Sequence, residues 1–214
     1  MVDIFLFRHA HVDYEPPAQV TAHNPLTPLG CQMAARLAQR CDEWDLQYLF
    51  VSTMLRAHQT AEAISERFPD LPRLDMAEFE ELSIDDLEGY PGRMPPEDLR
   101  RWNDAHFDYA GRRSWGRVKA GWERALRVVE ERSLERVAIL SHEGPLNTML
   151  RLFMGEDAHR PPSWRCAFGW TATSCLRYAP EDSWVQRSIR WVNDIRHIDD
   201  LRQFLAPART RDTD

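Results

Sequence analysis

The chain has no excess of basic charge: Lys and Arg total 27 against 34 Asp and Glu, a formal net charge of −7 over 214 residues. That excludes a general nucleic-acid binder, whose footprint would be basic. No stretch approaches the ~20 apolar residues of a membrane span. The apolar start, Val2 to Phe7, is too short for the core of a secretory signal, carries Asp3 and has no basic leader. Cysteine is scarce. Cys31, Cys41, Cys166 and Cys175 show no Cys-x-x-Cys spacing, which argues against a disulfide framework and for reduced thiols in a cytoplasmic protein. Internal repeats and low-complexity linkers are also missing, and the length suits one large core. A single domain over 1–206 is expected, with an insertion at about 90–122 and a frayed polar tail at 207–214.

What is there begins with Val2-Asp3-Ile4-Phe5-Leu6-Phe7, an apolar run that stops at Arg8-His9 and breaks into a Pro-rich loop. A run so short and apolar throughout reads as a strand buried on both faces. Thr27 and Pro28 are a natural N-cap and first helical residue. The helix behind them, with Leu29, Met33 and Leu37 on one face, is predicted to end near Cys41. Leu46 to Val51 reads as a second strand, leading through Ser52 into a helix that continues to about Arg67, where Pro69 and Pro72 close the unit. Arg136 to Ser141 reads as a third buried strand, and His142-Glu143-Gly144-Pro145 opens another helix. Before that third strand, Pro95 to Trp122 mixes Trp102, Trp115 and Trp122 with arginines and is read as short helices of the insertion, lying over a sheet edge, followed by a helix through Arg132. Ala172–Tyr178 and Trp184–Val192 look like strands added at an edge, which would permit a homodimer. Alternating strands and helices predict an α/β fold: a three-layer α/β/α sandwich with a mostly parallel sheet and a small helical cap.

Three strands thus end in functional-looking groups: Arg8-His9, Ser52 leading to Arg56, and Ser141-His142. Parallel strands bring such ends to one rim, where two arginines, two histidines and helix N-termini would form an anion site. Each member has a plainer reading on its own, Arg56 as a surface residue and His142 as a core histidine. Their conjunction points to an anion site, and guanidinium forks match phosphate oxygens.

The sequence resembles the histidine phosphatase superfamily, which includes phosphoglycerate mutases and broad-specificity phosphatases. The resemblance rests on Phe7-Arg8-His9-Ala10, Pro25 to Gly30, Ser52 to Ala61, Leu140 to Gly144, and a terminal Asn193-Asp194-Ile195-Arg196-His197-Ile198, in family order. It implies that His9 attacks phosphorus and becomes a phosphohistidine that water hydrolyses. Arg8, Arg56 and His142 would hold the phosphoryl oxygens. A general acid is expected from the acidic stretch around Glu78 to Gly89; the family's spacing gives Glu81, with Glu80 its immediate neighbour. The route needs no metal or cofactor, and its partner is a small phosphorylated molecule. Ala10, Val12, Glu15 and Asp85 depart from the family pattern and bear on phosphate affinity and rate rather than on fold.

Other readings stay open. A mutase would carry an Arg-Tyr-Gly-like segment after the acidic loop, which Gly89-Tyr90-Pro91-Gly92-Arg93 does not reproduce, so a phosphomonoester hydrolase fits better. His9-Ala10-His11-Val12-Asp13 has the His-x-His-x-Asp spacing of some binuclear metal hydrolases. A non-enzymatic phospho-ligand binding protein on the same scaffold is the third alternative.

Overall fold

The computed structural model describes residues 1–13, 21–81, 112–156, 164–179 and 182–205. Among these residues, six strands form one sheet in the order β3-β2-β4-β1-β5-β6, comprising β1 (Val2–Arg8), β2 (Tyr48–Ser52), β3 (Arg73–Met76), β4 (Arg136–Ser141), β5 (Thr173–Tyr178) and β6 (Arg187–Asp194). The first four run parallel, β5 pairs antiparallel with β1, and β6 pairs antiparallel with β5 and so runs in the direction of the first four.

Alternation along the strands builds two cores. Ile4 and Leu6 of β1 join Phe50, Ile139, Leu146 and Met149 on one face, and Phe5 and Phe7 join Val51, Leu140, Leu37 and Ala61 on the other. Helices α1 (Pro28–Arg40) and α2 (Leu55–Arg67) cover the second face; α3 (Arg112–Glu131) and α4 (Glu143–Phe153) cover the first. The result is the predicted three-layer sandwich, in which each buried Phe or Leu contributes roughly 1.5–3 kcal/mol. α1 starts as its sequence dictates: Thr27 Oγ1 accepts from the Gly30 N–H at 3.0 Å and Pro28 occupies the first turn. Such a cap is worth about 1 kcal/mol.

Several expectations change. β3 follows the Pro72 that closes the α2 unit and is not among the expected strands; it has just four residues and a mixed burial pattern, so no apolar run announces it. Residues 112–122, read as the end of the insertion, are the first half of α3, with Trp115, Val118, Trp122, Ala125 and Val129 buried along one face. The remainder of the expected cap lies outside the described residues, as does the tail at 207–214. The strand at Thr173–Tyr178 is not an edge: it lies between β1 and β6, and β6 is the edge. Among the described residues, no helix is long and apolar enough to cross a membrane.

Candidate active site

Register decides the site. In the parallel pairing Arg8 is level with Ser141, and Val51 with Leu140, so the carboxyl ends of β1, β2 and β4 meet at one rim. The backbone then delivers His9 directly after β1, Arg56 in the first turn of α2 and His142 as the residue before α4. Neither helix start carries a side-chain cap.

His9 is 2 % exposed. Its Nδ1 lies 2.8 Å from the Ala10 carbonyl, an acceptor only, so Nδ1 carries the proton and Nε2 keeps its lone pair. The Arg56 Nε–H is shared between His9 Nε2 at 3.3 Å and His142 Nδ1 at 3.2 Å. His142 Nε2 therefore carries its ring proton and donates to Ser52 Oγ at 2.7 Å. Arg56 is completely buried; it also donates to the Thr21 carbonyl at 2.7 Å and reaches Met54 Sδ at 3.1 Å. Thr60, one turn along α2, accepts from the Ala10 N–H at 3.0 Å and donates to the Arg56 carbonyl at 2.7 Å, tying the exit of β1 to the arginine's own turn.

Burial holds the His9 imidazole well below the usual histidine range, reinforced by His142, Arg8 and Arg56. His142 is lowered in the same way by burial, then by Arg56, Arg8 and Arg117. Both rings are neutral at neutral pH, and a neutral His9 is the nucleophilic form. The site as it stands is a buried guanidinium facing two imidazole lone pairs. An incoming phosphoryl oxygen is a stronger acceptor for that guanidinium than either ring.

Arg8 donates to the Phe168 carbonyl, lies 3.4 Å from Glu143 Oε2 and stacks 3.9 Å above the centre of the Trp170 ring. Glu81, which the family spacing gives, and its neighbour Glu80 point to different partners. Glu81 Oε2 accepts from the Gly144 N–H at 3.0 Å, in the first turn of α4 beside His142. Glu80 takes the Thr53 hydroxyl and lies 4.0 Å from an Arg117 nitrogen. The segment carrying both is fastened to β4 by Ser141 Oγ, which donates to the Phe79 carbonyl at 2.6 Å. Glu81, Gly144, Thr148 and Arg165 border a cavity of about 410 Å³.

All five expected residues are thus placed around the same sheet rim and helix starts. Thr60, Trp170 and Glu143 belong to the site too, though no motif singled them out for a role. Thr60 had a local signal, four residues after Arg56 on one helix face. Trp170 had none, because it meets Arg8 only through the tertiary fold. The two histidines of the His-x-His-x-Asp spacing take separate partners: His9 faces Arg56, and His11 Nδ1 pairs with Thr27 Oγ1 at 2.8 Å. Glu15, Asp85 and the 89–93 segment lie outside the described residues.

Comparison with known proteins matches residues 4–191 to the family model described as histidine phosphatase superfamily (branch 1). Among named relatives, a mitochondrial serine/threonine-protein phosphatase, Pgam5 of Caenorhabditis elegans, is 28 % identical over 204 residues, covering 92 % of this chain and 64 % of its own length. A 6-phosphofructo-2-kinase/fructose-2,6-bisphosphatase of the same organism is 28 % identical over 158 residues, 70 % of this chain but 34 % of the relative. The chain thus spans less than two thirds of these relatives. Among solved structures, the α-ribazole phosphatase of Shigella flexneri superposes with a TM-score of 0.67 at 19 % identity, covering 90 % of this chain and 96 % of its own; at that identity the likeness speaks for the fold.

Proposed function

The chain belongs to the histidine phosphatase superfamily, and we propose that it is a phosphoric monoester hydrolase acting on a small phosphorylated metabolite through a phosphohistidine at His9. The observation that carries this reading is the fixed tautomer of His9, with Nδ1–H on the Ala10 carbonyl and the Nε2 lone pair aimed at Arg56. A phosphoryl group entering between them would draw the Arg56 N–H groups onto its oxygens and leave Nε2 in line with phosphorus. The N–P bond forms as the P–O bond to the leaving group breaks.

Glu81 supplies the proton that the departing oxygen needs, then as a carboxylate takes one from the water that attacks the phosphohistidine. Hydrolysis returns inorganic phosphate and neutral His9. The Gly144 N–H supports this assignment over Glu80, since it seats Glu81 at the helix start that also presents His142. Arg8, Arg56 and His142 are assigned to the phosphoryl oxygens, where charge redistributes in the transition state. None of these steps draws on a metal or organic cofactor.

The relatives' names set the range of substrates to be tried. One solved neighbour is a phosphoserine phosphatase from Entamoeba histolytica in complex with phosphoserine. A cytoplasmic, reducing setting belongs to the same proposal, supported by four cysteines that are all free thiols.

Acid quenching during turnover of a phosphomonoester should trap protein-bound phosphate that is acid-labile and base-stable, absent in His9→Ala. Phosphate on a serine or carboxylate instead would overturn the mechanism. Binding without turnover across a panel of phosphometabolites would favour the non-enzymatic alternative.

A further inference from the structure

The terminal stretch Asn193 to His197 has no part in the chemistry above, yet it is fastened to the site. Between Phe168 and β5 the chain turns a tight corner, Gly169-Trp170-Thr171-Ala172, in which the Ala172 N–H closes on the Gly169 carbonyl at 3.1 Å. Thr171 is fully buried and sits at φ +52°, a left-handed conformation that costs a β-branched residue about 1–3 kcal/mol. Such strain persists only where surrounding contacts over-determine it, and here those contacts can be named.

On one side the corner grips the catalytic dipeptide. The Ala172 carbonyl accepts from the Arg8 N–H at 3.1 Å, and the Thr171 N–H donates to the His9 carbonyl at 3.3 Å. The Arg8 guanidinium carbon lies over the indole of Trp170, 3.9 Å from the ring centre, and that ring centre is 5.2 Å from the centre of His9. On the other side the corner is held by the terminal stretch. Asn193, itself at φ +58°, accepts from the Gly169 N–H at 2.7 Å.

His197 Nε2 lies 3.1 Å from Thr171 Oγ1, which donates its own proton to the Trp170 carbonyl at 2.7 Å. Nε2 must therefore be the protonated nitrogen of His197, donating to Thr171. Nδ1 is buried with no partner among the described residues, a cost the fold retains for the sake of the other nitrogen.

We infer that Trp170 is a positioning residue for Arg8, presenting an aromatic face that fixes the guanidinium at the phosphate site, and that Asn193 and His197 set its place by fastening the corner 169–172. The inference rests on the reading of Arg8 and His9 as the phosphate site. It gives the terminal motif a mechanical role: Asn193 and His197 bond to Gly169 and Thr171, and through that corner reach Trp170 and the Arg8-His9 backbone.

Vanadate, a mimic of five-coordinate phosphorus, is the probe, used on the full chain with single-turnover phosphoenzyme formation from nitrophenyl phosphate alongside. Trp170→Leu keeps an apolar side chain of smaller volume but removes the ring face, and should weaken vanadate inhibition about 3- to 30-fold, the range that cation–π contacts span from exposed to desolvated. In an Arg8→Ala background the same change should cost less than about twofold, because its partner is gone. Trp170→Phe, alone and with Arg8→Ala, gives the same comparison with a gentler change if the leucine variant does not fold. His197→Ala should reproduce the Trp170 loss and His197→Gln recover most of it, since an amide N–H can take the place of Nε2.

Equal losses with and without Arg8, or unchanged vanadate affinity in Trp170→Leu, would show that Trp170 only packs and would overturn the inference alone. A parent protein that neither binds vanadate nor forms a phosphoenzyme would overturn the phosphatase reading and this inference with it.

Discussion

The Gly144 N–H donates to Glu81 Oε2 at 3.0 Å, and a side chain built on Gly144 would overlap the other carboxylate oxygen. The first turn of α4 thus seats the proposed general acid and leaves no room for a methyl group in front of it. His142 stands immediately before the same turn. The proposed proton donor and the proposed phosphate ligand are therefore both held at one helix start.

Gly144→Ala should push Glu81 off its seat. A poorly leaving alkoxide needs a proton and a nitrophenolate scarcely does, so alkyl phosphates should slow by ~10²-fold or more while the phosphorylation step with nitrophenyl phosphate changes little. Glu81→Gln should show the same leaving-group dependence, and Glu80→Gln, whose carboxylate sits on Thr53 and Arg117, should not. With Glu81→Ala already present the obstruction is gone, and Gly144→Ala should stabilise the helix by about 0.5–1 kcal/mol. Loss of stability in that background would place the overlap elsewhere. Leaving-group dependence in Glu80→Gln alone would transfer the role to Glu80.

Arg56→Lys keeps the charge and loses the fork. A lysine cannot meet His9, His142, Thr21 and Met54 at once, as the Arg56 side chain does. Turnover should fall by ~10²-fold or more, the scale of removing one transition-state donor. Circular dichroism of the variant should stay native-like. A near-parental rate would return Arg56 to a packing role.

Stability should decline on mild acidification, and the buried histidines set where. Burial holds His9 and His142 well below their ordinary range and His197 at about 4, whereas the unfolded chain titrates them near ~6.5. Between those values the unfolded chain binds protons that the folded chain refuses. The histidines' contribution is therefore complete above about pH 6.5 and is lost as pH falls toward the folded values. Asp194, held at about 2 chiefly by its hydrogen bond to Arg196, gives up its contribution only in stronger acid. Melting temperatures taken downward from about pH 7.5 should begin to drop near pH 6.5. His9→Gln/His142→Gln should flatten the slope. A flat profile in the parent protein would contradict the burial of these rings.

Local chemistry accounts for what was legible in the sequence. Strands β1, β2 and β4 are short apolar runs with polar ends, and α1 begins at a Thr-Pro pair, so each can be read without its neighbours. A parallel arrangement follows from their alternation with helices, and it brings Arg8, His9, Arg56 and His142 to one rim before any coordinate is known. Trp115 and Trp122 have the spacing of one helix face, but Trp102 with Arg100, Arg101, Arg112 and Arg113 sets the stretch apart as an insertion. β3 is too short and too polar to signal itself.

Only the tertiary structure decided the rest, because those contacts join residues far apart in the chain. Family spacing gives Glu81 but leaves Glu80 one residue away; Gly144 on one side, with Thr53 and Arg117 on the other, turns the two carboxylates apart. The interior place of β5 depends on β6 pairing beyond it. Trp170 meets Arg8 because β5 runs back along β1 and sets the corner before it against the carboxyl end of that strand. A strand's burial is written in its own residues, but which side chain arrives opposite its last one is settled by how the layers pack.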